Sequence, residues 1–319
     1  MSLQPQAPAV LVVAGTHGNE RNAPWLLQHW QRQPEALADA GLALELVIGN
    51  PGAWALNQRY LDRDLNRCFQ PALLADPGTG GAEPARAREL LRRHGPAGTQ
   101  PCSVVFDLHS TTSGMGNCLV IYGRRPADLA LAAAIQARLG LPVYLHEGDA
   151  SQSGFLVERW PCGLVIEVGP VPQGVVQATI CRQTQLALEA GLAVLAAARR
   201  GQLRLPSALV VHRHLGSLDL PRDSEGQPLA CLHPQLQHRD WRPLQAGDPL
   251  FSDPESHVQA WSPDASAAPD GPVVPLFINE AAYGEKGIAL SLTRRQRLPA
   301  DPGWAQELVA LAAGLGAPL

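Results

Sequence analysis

The chain has 319 residues, 45% of them hydrophobic, which is enough to bury a sizeable core and too many for a disordered segment. With 25 Lys and Arg against 29 Asp and Glu, its formal charge is −4, without the basic excess usual in a nucleic-acid binder. Its longest apolar runs fall far short of the roughly 20 residues of a membrane span.

The start, MSLQPQAPAV, has neither a basic n-region nor an apolar h-region, so a cytoplasmic protein is expected. Six scattered cysteines without a C-x-x-C pair then read as reduced, buried thiols. Nothing in the composition excludes a homo-oligomer.

In chain order, Ala9–Ala14 (AVLVVA) is a continuous β-branched run ending at Gly15, and Glu20–Trp30 has helical spacing. Leu44–Ile48 reads as a second strand and Glu83–His94 as a helix. Ser103–Leu108 and Cys118–Tyr122 follow as strands, then the helix Pro126–Leu139, the strand Leu164–Val168 and the helix Ala178–Arg200. Alternation of apolar strands with helices predicts an α/β fold around a mainly parallel sheet. From Ser207 the texture changes to short runs broken by turns (ALVVHRHL, PLACLHP, PVVPLFI), with a polar loop over 262–272 and helical spacing again over Trp304–Leu315. Two units are expected: a catalytic domain over 1–203 and a smaller β-rich domain over 204–319 covering its cleft.

The first informative cluster, Gly15-Thr16-His17-Gly18-Asn19-Glu20, lies where a buried strand ends and a helix begins. Ligands bind at such carboxyl ends in open α/β sheets. His17 and Glu20, three apart, can face one point, and His109 at the end of Ser103–Leu108 supplies a third donor. Two histidines and a glutamate leave an open position, as a catalytic zinc shell requires. Asp107, two residues from His109 on the same side of the strand, is a candidate acceptor for an imidazole N–H.

Arg59, Asp64, Asn66 and Arg67 sit in the charged run RYLDRDLNR. The bland reading of this run is a solvated loop. The functional one is anion recognition by guanidinium forks, with Asp64 holding an arginine in place. Glu167 stands inside the apolar strand LVIEV, where a carboxylate is costly unless paired or functional. A general base beside a metal site needs such a placement; a structural ion pair is the alternative. His212 and His214, His233, His238 and Trp241 read as packing or surface residues.

Five blocks occur in order: GTHGNE, NPGAWALNQRYLDRDLNRCF, DLHSTTSGMGN, VIEVGPVPQG and FINEAAYGEKGIA. Together they resemble the aspartoacylase branch of the succinylglutamate desuccinylase/aspartoacylase family, which includes the aminoacylase acting on N-acyl aromatic amino acids. The resemblance runs from about residue 10 to about residue 290. It implies a zinc hydrolase with a carboxypeptidase-like, mainly parallel mixed sheet flanked by helices. It further implies one Zn²⁺ per chain on His17, Glu20 and His109, and Glu167 as the catalytic carboxylate. Arg59 is then the residue polarising the acyl carbonyl, Asn66 and Arg67 hold the substrate carboxylate, and Tyr283 closes the pocket.

One departure stands out. Aspartoacylase carries a tyrosine and an arginine about ten residues before the EVGP glutamate, gripping the aspartate side chain. Here that region, 148–155, has neither, and Arg159 is out of register. The expected reaction is hydrolysis of an N-acyl amino acid, most simply N-acetyl, to a carboxylate and a free amino acid. The rivals are a carboxypeptidase on short peptides and a non-catalytic binding relative.

Overall fold

The computed structural model describes residues 7–76, 78–149, 152–262 and 271–317. Most of the expected polar loop and residues 150 and 151 of the departure region therefore lie outside the described residues. The elements are β1 (Ala9–Ala14), α1 (Asn22–Arg32), β2 (Leu44–Ile48), α2 (Pro51–Leu56), α3 (Pro71–Ala75), α4 (Ala82–His94), β3 (Cys102–Ser110), β4 (Gly116–Tyr122), α5 (Pro126–Leu139), β5 (Val143–His146), β6 (Cys162–Gly169) and α6 (Ala178–Arg199). The second part adds β7 (Ala208–Asp219), β8 (Cys231–Leu232), β9 (Pro249–Ser252), β10 (Val258–Ala260), β11 (Val273–Leu276), α7 (Ala281–Gly284), β12 (Ile288–Pro299) and α8 (Pro302–Ala313).

All six side chains of β1 are buried, so this strand lies inside the sheet. The order is β11-β12-β7-β5-β4-β6-β3-β1-β2, with β8–β10 in a separate small sheet. The β2-β1-β3-β6 half is parallel; β4 then runs antiparallel to β6, with β5 and β7 parallel to β4. One core layer packs α1, α5, α6 and α8 on one face, from Leu27 and Trp30 through Ile135 to Leu195 and Leu308. A second layer holds Leu65, Phe69, Trp160 and Leu276 on the other. Fully burying each such side chain contributes about 1.5–3 kcal/mol.

Three differences from the sequence reading have simple causes. β5 (VYLH) has only four residues, too few for a periodic signal, although all four are buried. The long strand β12 carries Arg294, Arg295 and Arg297, charges that mask its pairing with β7 and β11. The β-rich second part therefore extends the central sheet as well as forming a small one. The first helix begins at Asn22, so His17 and Glu20 lie in the preceding turn. Five of the six cysteines are buried free thiols as expected, whereas Cys231 is exposed. Among the described residues, no helix is long and apolar enough to cross a membrane.

A buried acid links the second part to the loop that precedes β4. Asp240 accepts a hydrogen bond from Ile278 N at 3.1 Å and lies against Gly114. Burial, ahead of the opposing backbone N–H groups, pushes its carboxyl up to about 6. An acid raised in this way holds its proton more tightly folded than unfolded. Its contribution is full below the unfolded value of 3.8 and is lost as pH rises through about 6. Asp240→Asn should remove up to about 3 kcal/mol of this pH-dependent loss. Melting temperatures of the two proteins, compared across about pH 4–7, test it; parallel curves would refute the assignment.

Candidate active site

The strand order brings the carboxyl-terminal portions of three strands together. His17 and Glu20 follow β1, His109 ends β3, and Glu167 sits on β6 directly across from His109 in register. Gly15 turns the chain at φ +69°. A Cβ on Gly18 would lie 2.1 Å from the Ala53 carbonyl carbon, so only glycine lets the His17 turn pack on α2.

Glu20 holds the two imidazoles. Its Oε1 is 2.6 Å from His17 Nδ1 and its Oε2 is 3.0 Å from His109 Nδ1, while Ser110 N donates to Oε2 at 3.0 Å. The far nitrogens both face carboxylates. His17 Nε2 lies 3.0 Å from Asp64 Oδ1, and His109 Nε2 lies 2.8 Å from Asp107 Oδ2. The second approach is short but poorly aligned as a hydrogen bond, so it acts as an ion-pair contact. Thr16 Oγ1 donates to Asp107 Oδ1 at 2.7 Å and fixes that carboxylate. Carboxylate–imidazole pairs of this kind orient the ring and raise its basicity.

The electrostatics of the cluster favour a cation. Burial opposes ionisation of Glu20, yet the two histidines hold its carboxyl far below the usual range. Burial likewise opposes charge on His109, but Asp107 and Glu20 pull its pKa well above the usual value. Three buried donor atoms, one each from His17, Glu20 and His109, lie within 4.8 Å of one another. The donor set, its burial and its negative surroundings fit a divalent zinc with an open position.

Around this cluster, Arg59 Nη2 donates to Asp64 Oδ2 at 3.1 Å and Nη1 lies 3.5 Å from Glu20 Oε1. Asp64 thus serves Arg59 and His17 at once; burial alone would raise its carboxyl, but His17 and Arg59 hold it well below the usual range. Asn66 Oδ1 accepts from Leu156 N at 2.7 Å, leaving its amide N–H groups for another acceptor. Arg67 donates to Asn66 O and to Gln152 Oε1, and its guanidinium lies 4.3 Å from the Phe155 ring centre. Burial pushes the Glu167 carboxyl well up, with Glu20 and Glu280 adding to it and His109 and Arg59 opposing. Arg59, Asn66, Arg67, Glu167, Tyr283 and the three metal-type donors line one cleft, with Asp64 and Asp107 behind it.

Two family models cover the chain: the Succinylglutamate desuccinylase/Aspartoacylase catalytic domain over residues 6–195 and the AstE/AspA barrel-sandwich hybrid domain over 207–295. The chain belongs to this family. It is 59% identical over 297 residues to a protein of Synechococcus sp. (strain CC9605) named probable aspartoacylase, covering 92% of this chain and 95% of that one. A protein of Parasynechococcus marenigrum (strain WH8102) with the same name is 60% identical over 299 residues, covering 94% and 97%. Among solved structures, murine aminoacylase 3 superposes with a TM-score of 0.81 at 32% identity, covering 93% of this chain and 98% of that one.

Several cleft residues of this family member were not legible in its sequence. Glu280, the N-cap of α7, accepts from Thr111 Oγ1, from Thr112 N at 2.8 Å and from Ser113 N at 3.2 Å. It stitches the second part of the chain to the loop that follows His109. Its only sequence signal is an acid in the FINEAAY block, beside Tyr283. Tyr122, Tyr144, His146, Phe155 and Phe277 form an aromatic wall whose members come from four separate segments. Phe277 is held at φ 53°, a strained value for a bulky residue, and its ring lies 5.7 Å from that of Tyr283.

In the departure region, Phe155 stacks on Tyr122 at 3.8 Å, and Arg159 turns away to donate to Phe69 O at 2.7 Å. His214 is buried and hydrogen-bonded to Tyr144, a more specific packing role than the sequence suggested. Glu285 takes a hydrogen bond from Tyr60. Trp241 donates to Met115 O.

Removing Glu280 leaves several buried donors without an acceptor, at about 1–3 kcal/mol each. Glu280→Ala should therefore lower stability by about 3 kcal/mol or more, and Glu280→Gln, which keeps one acceptor oxygen, by clearly less. Urea unfolding midpoints at constant slope measure both; equal losses would show that filling space, not accepting hydrogen bonds, is what matters.

Proposed function

We propose that this protein hydrolyses the amide bond of an N-acyl amino acid, foremost an N-acetyl one, releasing a carboxylate and the free amino acid. One observation carries the reading: a carboxyl with a raised pKa, Glu167, shares a cleft wall with a three-donor metal-type cluster and with Arg59, Asn66 and Arg67.

His17, Glu20 and His109 would hold zinc, which supplies Lewis acidity and brings the pKa of water from 15.7 towards about 7. Glu167 takes a proton from the attacking water and delivers it to the nitrogen of the breaking C–N bond. Arg59, anchored by Asp64, stabilises the negative charge that builds on the acyl oxygen, an effect typically worth about 3–4 kcal/mol. Asn66 and Arg67 take the α-carboxylate of the substrate, so the amide is oriented before reaction. Phe155, resting under Arg67, holds the guanidinium in place. With Phe155 in the departure region and Arg159 turned away, the cleft favours substrates whose side chains are not acidic.

Glu167→Gln is expected to retain one zinc per chain by metal analysis while losing about 10²–10⁴-fold in kcat. His109→Ala is expected to lose the metal itself. The readouts are elemental analysis and release of free amine from a panel of N-acetyl amino acids, with dipeptides and longer peptides alongside. A near-wild-type rate in Glu167→Gln would end the base assignment, and faster cleavage of peptides would replace the amidohydrolase reading with a peptidase.

A further inference from the structure

The segment 59–67 carries Arg59, Asp64, Asn66 and Arg67, and its first six residues belong to no helix or strand. The acid that holds it stands outside the cleft. Glu83, in the first turn of α4, is fully buried and is not part of the cleft lining. Its Oε1 accepts from Leu61 N at 2.6 Å and from Asn50 Nδ2 at 2.9 Å. Its Oε2 accepts from Asp62 N at 3.0 Å and from Arg63 N at 3.3 Å. Among the described residues, these three consecutive backbone N–H groups have no other acceptor. The grip is returned: Asp62 Oδ2 accepts from Ala82 N at 2.6 Å, at the start of α4. A buried carboxyl is costly unless donors converge on it, and donors from two separate segments converge on this one.

The place of this clamp in the chain gives it leverage. Arg59 stands two residues before the gripped stretch 61–63, and Asp64 directly follows it. Arg59 reaches Asp64 and Glu20, while Asp64 holds His17 and caps the turn that presents Asn66 and Arg67. Leu61, Asp62 and Arg63 are themselves exposed, so little buried apolar surface fixes them. Asn50 extends the clamp on its other side. Its Oδ1 caps α2 by accepting from Ala53 N at 3.2 Å, and α2 is the helix on which the His17 turn packs.

We infer that Glu83 is a positioning residue for the proposed hydrolysis: with Asp62 it locks the 59–67 segment onto α4 and so fixes Arg59 relative to Asn66 and Arg67. Arg59 is assigned to the acyl oxygen and Arg67 to the α-carboxylate, two ends of one small molecule. Their separation must therefore match the substrate, and a misplacement of about 1 Å can cost about 10²-fold in rate. Glu83→Gln keeps the size of the side chain but turns one acceptor oxygen into an NH₂ donor. Each oxygen serves two donors, so in either orientation the new amide faces N–H groups and the grip loosens.

The inference rests on the proposed amide hydrolysis, but its test separates the two. In the zinc-loaded Glu83→Gln protein, kcat/KM for the N-acetyl amino acid that the native enzyme cleaves fastest should fall about tenfold or more. Because Glu83 acts through the segment that carries Arg67, Arg67→Ala should cost about fivefold less in the Glu83→Gln background than in the native one. Amide hydrogen exchange, followed by mass spectrometry, should speed up about tenfold or more over 59–67 in Glu83→Gln, while peptides of β1, β3 and β6 keep their native rates. A native-like kcat/KM, additive losses in the double variant, or unchanged exchange over 59–67 would overturn the inference. If Glu83→Gln does not fold, Asp62→Ala, at an exposed position, takes its place and should show the same pattern more weakly; native exchange and native rate in that variant would equally overturn it. If the native protein hydrolyses no N-acyl amino acid, the reading of the reaction fails, and exchange over 59–67 decides by itself whether Glu83 locks the segment.

Discussion

The site depends on a single carboxylate placed between two imidazoles. Glu20 touches His17 with one oxygen and His109 with the other, although the histidines are 92 residues apart in the chain. That arrangement costs the burial of an ionised acid, and only neighbouring positive charge can repay it. His17, His109 and Arg59 supply that charge in this structure. A divalent cation among the same donors would supply it more fully, which makes the cluster a candidate metal site.

The rest of the cleft protects and extends this arrangement. Asp64 and Asp107 stand behind the two imidazoles, and each is itself fixed, Asp64 by Arg59 and the Asn66 N–H, and Asp107 by Thr16. Asp64 therefore couples the metal-type donors to the arginine proposed to steady the acyl oxygen. A displacement of the RYLDRDLNR loop would disturb both at once. Glu280 ties the second part of the chain to the loop after His109 and brings Phe277 and Tyr283 over the cleft. The strain held at Phe277 is sustained because that segment is anchored before it by the pairing of β11 with β12 and after it by Asp240 at Ile278 and by Glu280 at the 111–113 loop.

Aromatic rings of Tyr122, Tyr144, Phe155 and Phe277 line one side of the cleft. Phe155 stands in the region where the sequence departs from aspartoacylase, and it supports Arg67 from below instead of offering a second cation. The two relatives described above, each named probable aspartoacylase, share about 60% of their aligned residues with this chain. A likeness of that kind establishes the family.

Much of this was legible in the sequence. The β-branched runs of β1, β3 and β6 are buried on both faces, so continuous hydrophobicity marks them without reference to any partner. His17, Glu20, His109 and Glu167 stand out because each is a polar residue at or inside such a run, where local chemistry would not tolerate it idly. What only the tertiary structure decided is the company these residues keep. A four-residue strand such as VYLH carries too short a pattern to announce itself, and its Tyr144 and His146 acquire meaning only when β7 lays His214 alongside. Glu280 is likewise one acid in a polar turn until the chain returns to the 111–113 loop. Local sequence specifies which residues must be buried and which must turn; which distant groups then meet is set by sheet order, because neighbours in a sheet need not be neighbours in the chain.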